Sequence, residues 1–344
     1  MTKKIFLLLF IIALLIQATL WRGRPFVDKS VWTNEAQYFD QHDPRVFDPQ
    51  SGYGYPGTTL IVPAAIAHRL FHVSYENAVA GVIAIEIAGA ATLLSVLCYA
   101  LLPTTTWWLA TFALVILHPL YLDATPPSAI VTPLISALLL ITWLIWQRPT
   151  WQRIATWSVV AGFAAATRLD ISVAIAGACA IFLLISIGWR KTLLPTIGAG
   201  AVFVICNPFM WFMPVRHLTD ILQKIIFHYT DRKSAPQTLL SLFKAAPFGV
   251  IGFLVTPFVL RLQPIPRPFP PRLVSWLWLI SLGLTIFFMH SAYQPIWYFF
   301  PLTLFWELML AGYLILFLPA VSWFLIGVML LGHFFLLFLD FYLM

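Results

Sequence analysis

The chain has 344 residues, of which 61% are hydrophobic and only 10% charged, with 29 Phe, 15 Trp and a net charge of +7. Its mean hydropathy of +0.89 excludes an ordinary water-soluble domain and places it among polytopic membrane proteins. The positive balance would suggest nucleic acid in a soluble protein. Here it reads as a topology signal with no nucleic-acid partner, because Lys3, Lys4, Arg148, Arg153, Arg190, Lys191, Arg261, Arg267 and Arg272 all fall in segments assigned below to the cytoplasmic side.

Apolar runs long enough to cross roughly 30 Å of hydrocarbon recur along the chain, and they are continuous rather than alternating, so they predict helices and not a barrel. Cys98, Cys179 and Cys206 lie inside apolar runs. They read as small core residues and leave the loops without a disulfide framework.

In chain order, residues 1–21 read as an uncleaved signal anchor: a short basic start, then an apolar helix without a small-residue cleavage site. Residues 22–76 follow as a first outer loop, whose segment Thr58–Phe71 is apolar but short and predicts an interfacial helix. Asn77–Leu102 carries Glu86 inward and Trp107–Leu122 returns, placing His118-Pro119 and Asp123 near the outer surface. Ser128–Trp146 descends, Ile154–Thr167 rises to deliver Arg168 and Asp170 outside, Ile171–Gly188 descends, and Leu193–Phe212 rises into a second, basic outer loop at 213–246. Pro247–Leu260 crosses to a proline-rich cytoplasmic connector at 261–272, extended and semi-rigid in character. Leu273–Met289, Ile296–Leu318 and Val321–Leu343 complete the chain. The expectation is one all-α transmembrane domain over residues 1–344, with about eleven spans by hydropathy window and two long extracytoplasmic loops.

The polar residues concentrate outside. Asp28, Glu35, Asp40, Asp43 and Asp48 gather in the first loop, while the second carries Arg216, Lys224, His228, Asp231, Arg232 and Lys233. Helix ends bring His118, Arg168 and Tyr298 toward the same side. Glu86, Glu307 and Asp340 fall within apolar runs, where a carboxylate is either paired or lines a wet cavity. Acids facing bases across an outer cavity suit a reaction in which a hydroxyl or amine loses its proton to a carboxylate while cationic groups stabilise a departing phosphate. Simple attraction of the basic loop to anionic headgroups is an equal reading of its charge.

The order of landmarks carries a resemblance. A signal anchor, an acidic pair position at Asn34-Glu35 followed by Gln37-Tyr38, then Tyr55-Pro56-Gly57 and an interfacial helix, resembles the GT-C membrane glycosyltransferases, in particular the dolichyl-phosphate-mannose protein mannosyltransferases and the lipid A aminoarabinose transferases. His118-Pro119, Ala166-Thr167-Arg168 and Trp297-Tyr298 with Pro301 are similar to further family landmarks. Asn34 stands where the family usually has Asp, and Trp297 where an Arg commonly precedes the Tyr.

The resemblance implies sugar transfer from a polyprenyl-phosphate donor to a lipid, glycan or protein acceptor at the outer face of the plasma (inner) membrane. Glu35 is then the first choice for general base, with Asn34 beside it and Asp40 or Asp43 as substitute acids. Arg168, His228, Arg232, Lys233 and Tyr298 are the candidates for holding donor phosphate. The acidic loop offers oxygen ligands of the kind that hold a divalent cation, and no spacing in it specifies one. Two other readings fit the composition: a transporter or flippase of a lipid-linked substrate, and a catalytically inactive relative that scaffolds other envelope enzymes.

Overall fold

The computed structural model describes residues 3–22, 29–43, 45, 57–101, 104–118, 126–212, 214–220, 223, 246–261, 271–289 and 296–343, with the side chains of 3, 105, 212, 284–289, 296–301 and 337–343 outside the description. All regular structure among these residues is helical: α1 (Lys3–Arg22), α2 (Lys29–Asp40), α3 (Thr58–Phe71), α4 (Tyr75–Leu101), α5 (Thr105–Ile116), α6 (Pro126–Gln147), α7 (Trp151–Thr167), α8 (Leu169–Ile187), α9 (Trp189–Cys206), α10 (Pro247–Val259), α11 (Pro271–Met289), α12 (Ile296–Phe317) and α13 (Ser322–Leu343). Four of them, α1, α4, α6 and α8, are long and apolar enough to cross a membrane among the described residues.

α6 is the axis of the bundle. It is apolar on every face, and each side chain from Pro126 to Ile145 is buried, as befits a helix enclosed by others. It packs against α4, α7, α8 and α12. Its few hydroxyls turn back on their own helix, Thr132 to Ser128 O (2.7 Å) and Thr142 to Leu138 O (2.8 Å). Thr142 also accepts the Trp157 indole N–H at 2.9 Å, which satisfies both buried groups. Outward-facing Leu7, Ile85, Ile185, Phe258, Phe324 and Leu331 are exposed, the pattern of a surface solvated by lipid.

Two helix pairs approach closely through glycine, the usual means where lipid removes the hydrophobic drive between helices. At α7–α9, a Cβ on Gly198 would lie 2.6 Å from Ser158 Oγ, and one on Gly162 would lie 2.6 Å from Val202 Cβ. Ser158 Oγ fastens the pair by donating to Pro195 O at 3.1 Å. At α10–α12, a Cβ on Gly249 would lie 2.7 Å from Thr303 Cβ, and one on Gly252 would lie 2.8 Å from the Trp306 carbonyl carbon.

The structure corrects the sequence reading in three places. Lys29–Asp40 is a helix, not irregular loop, because Trp32, Glu35 and Ala36 recur at helical spacing and bury one face. α5 stops at Ile116, six residues short of the anticipated end, since Leu117 leaves the helical conformation and the residue before Pro119 is disfavoured in a helix. Residues 214–220 of the second outer loop are also helical. The rest of that loop from 224 to 245, the connector at 262–270 and the tip of the first loop at 46–56 lie outside the described residues.

Candidate functional site

Three polar groupings are built on this frame. The first lies where α2 and the start of α3 meet the α7–α8 junction. Gly57 takes a left-handed conformation (φ 45°) and sits so close under Trp32 that a Cβ there would lie 2.5 Å from the indole ring, so only glycine fits. Gly57 N–H then donates to Thr167 O at 3.3 Å, Thr58 Oγ1 to Ala166 O at 3.3 Å, and Thr59 Oγ1 bonds Thr167 Oγ1 at 2.9 Å. The start of α3 is thereby stapled to the end of α7, one residue from Arg168.

Arg168 is the single extended residue (φ −153°) separating α7 from α8. Its guanidinium is 5% exposed and already engaged: Nε donates to Asp170 Oδ1 at 3.1 Å, Nη2 lies 3.5 Å from Oδ2, and Nη1 bonds Ser128 Oγ at the start of α6. Asp170 also accepts Ile171 N–H at 2.7 Å, a favourable place for a carboxylate in the first turn of a helix. Arg168, a candidate for holding donor phosphate, is a buried tie among three helix ends, and a phosphate would share it with Asp170.

Glu35 is buried (4% exposed) on the same face of α2 as Trp32. The chain of contacts Trp32, Gly57, Thr167 therefore puts it on the element that borders Arg168. Asn34 points the other way and is exposed. The two neighbours in sequence do not share a face.

The second grouping disposes of the substitute acids. Asp40 Oδ1 and its main-chain carbonyl accept from the Arg69 guanidinium, and Oδ2 accepts from Tyr75 Oη at 2.7 Å. Burial works to raise its pKa, but the bond from Tyr75 and the Arg69 charge outweigh it and hold the carboxyl below its usual range. His68 stacks on Tyr75 with 3.8 Å between centroids. Asp43 is held below its usual range by hydrogen bonds from the Arg45 side chain (2.6 and 2.9 Å) and main chain. Both carboxylates fix the end of α2 and its following turn, and neither is placed as a free base.

The third grouping was not foreseen. His118, expected at the outer surface, is 1% exposed inside the bundle. The 12 residues of α5 rise only about 18 Å, so its end lies against the packed helices and not beyond them. Gln17 of α1 donates to Ile116 O at 2.7 Å there. His118 Nε2 lies 3.1 Å from Glu307 Oε2 of α12, and His333 Nε2 of α13 lies 2.8 Å from Glu307 Oε1. Glu307 is thus paired, as an acid in an apolar run should be. Glu86 of α4 keeps one carboxylate oxygen buried without a hydrogen bond among the described residues.

His228, Arg232 and Lys233 lie outside the described residues, as does the side chain of Tyr298, whose backbone belongs to α12. No family model and no curated protein matches this chain. His118, Glu307 and His333 are separated by 189 and 26 positions, and no local spacing announces them. The signal available in the sequence was that each is a lone ionisable group in an apolar run.

Proposed function

We propose that the protein is a membrane glycosyltransferase that moves a sugar from a polyprenyl-phosphate donor to an acceptor at the extracytoplasmic face of the plasma membrane, with the chain crossing about eleven times. The observation that carries this reading is the corner in which the buried Glu35 carboxylate and the buried Arg168 guanidinium lie on neighbouring elements joined through Trp32, Gly57 and Thr167. Such a corner pairs a proton acceptor with a fixed positive charge beside the mouth of an apolar bundle, where a lipid-phosphate can enter from the bilayer. Glu35 takes the acceptor's proton as the sugar leaves the phosphate. Arg168, exchanging one arm of its Asp170 contact for a phosphate oxygen, steadies the charge that develops.

Asn34, exposed one residue before Glu35, meets the acceptor and orients it through its amide. Asp40 and Asp43 hold Arg69, Tyr75 and Arg45 at the end of α2, and Glu35, on the buried face of α2 with Trp32, is the carboxylate assigned the proton. The test is Glu35→Gln, which keeps shape and hydrogen bonding but takes no proton. Transfer should fall by about 100-fold or more while donor binding is kept. Unchanged transfer in that variant would remove Glu35 from the mechanism.

A further inference from the structure

We propose that His118, Glu307 and His333 form a binding site for a first-row divalent metal ion, Zn²⁺ foremost, that joins the end of α5 to α12 and α13 inside the bundle. This inference is independent of the transfer reaction above. Two imidazoles and one carboxylate are a donor set that Zn²⁺ takes in sites that keep a fourth position open. The three come from the segment just past α5 and from α12 and α13, so no local turn or cap explains why they meet. One ligand atom from each lies within 4.8 Å of the others.

Four-coordinate zinc with bonds of about 2.0–2.2 Å sets neighbouring ligands roughly 3.3–3.5 Å apart. The two nitrogens lie 3.1 Å and 2.8 Å from the two different oxygens of the Glu307 carboxylate, close to that spacing, so small side-chain shifts bring one ligand atom of each residue to the ion. All three side chains are about 1% exposed, and the walls are apolar and aromatic. The His118 and His333 rings lie 5.1 Å apart between centroids, and Phe248 covers His333 at 5.8 Å.

The second observation is what the groups fail to do for one another. Glu307 Oε1 lies 2.8 Å from His333 Nε2, yet it makes no hydrogen bond among the described residues, and His333 Nδ1 has none either. A buried carboxylate oxygen without a hydrogen bond costs free energy. A nitrogen and an oxygen that stand close without hydrogen-bonding suit a shared cation between them, the imidazole then neutral with its lone pair toward the ion. The carboxylate offsets one of the ion's two charges, and the fourth position remains for water or another oxygen donor.

The full chain, carrying no polyhistidine tag, is purified in detergent, equilibrated with ZnSO₄, freed of excess metal by gel filtration and analysed for zinc by mass spectrometry. About one zinc per chain is expected, with occupancy at least tenfold lower in Glu307→Gln and His333→Asn at the same free zinc. Bound Zn²⁺ should also raise the unfolding temperature of the parent and not of the variants. If those variants do not fold, the Co²⁺-loaded parent decides. Intense visible bands of four-coordinate Co²⁺ without thiolate charge-transfer bands support the site. A six-coordinate spectrum, or thiolate bands pointing to Cys98, Cys179 or Cys206, overturns it. So does a parent that retains no zinc, or zinc retained equally by the folded variants.

Discussion

Gly252→Ala tests the packing that positions α12, and with it Glu307. The added methyl would stand 2.8 Å from the Trp306 carbonyl carbon and 3.2 Å from Leu310 Cβ. Carbon atoms rest at about 3.5–4.0 Å, so α10 and α12 must part locally by about 1 Å. The obstacle is main chain and cannot swing aside as a long side chain would. Overpacking of this kind costs about 1–3 kcal/mol, and the better helix propensity of Ala returns about 1 kcal/mol, leaving a net loss of up to about 2 kcal/mol.

Gly81→Ala is the control. A Cβ at Gly81 of α4 meets nothing within 4 Å, so the same substitution there should stabilise by about 0.5–1 kcal/mol. Unfolding of the two variants and the parent in mixed micelles, followed by helical circular dichroism, reads the difference as opposite signs about the parent. Equal stability of Gly252→Ala and Gly81→Ala would refute the close α10–α12 contact.

The remaining predictions concern the corner where α2 and α3 meet the α7–α8 junction. Asp40→Asn should destabilise the protein with little effect on transfer. Because the folded-state pKa of Asp40 is lowered from 3.8, the carboxylate's contribution is present above that value and is lost as pH falls through the lowered one, so the gap between parent and variant should close in strong acid. Asp170→Asn, which leaves the buried Arg168 charge without its carboxylate, should cost about 3–5 kcal/mol. The double variant Arg168→Gln/Asp170→Asn should recover part of that, and additive losses in this cycle would contradict the pairing. Asn34→Asp, on the exposed face of α2, should leave unfolding unchanged and alter transfer alone, which parallel stability and transfer assays separate.

Much of the helical layout was legible because apolar runs and their breakers are local signals. Thr58–Phe71 was read to the residue, and the ends of α4, α6, α7 and α8 fell within three residues of the expected positions. α2 was missed because Lys29, Asn34, Glu35, Gln37 and Asp40 mask it by composition, although Trp32, Glu35, Ala36 and Phe39 keep a helical period. The early end of α5 was written in His118-Pro119, which was read as a landmark of resemblance before it was read as a break.

The site was legible only in part. That Arg168 and Asp170 sit together at one helix end was legible, but their ion pair and the bond from Arg168 to Ser128 of α6 are tertiary facts. The binding of Asp40 to Arg69 and Tyr75 and the meeting of His118, Glu307 and His333 depend on how helices far apart in sequence cross, which hydropathy does not encode.

The central claim is that this membrane bundle transfers a sugar from a lipid-phosphate. The most direct measurement incubates the purified full chain in detergent with a panel of radiolabelled polyprenyl-phosphate sugars and acceptor-containing membrane extract, and follows release of polyprenyl phosphate. The account predicts release with at least one donor that is dependent on the acceptor extract and falls about 100-fold or more in Glu35→Gln. No release from any donor, with the same labelled lipids instead crossing the bilayer of reconstituted vesicles, would contradict it.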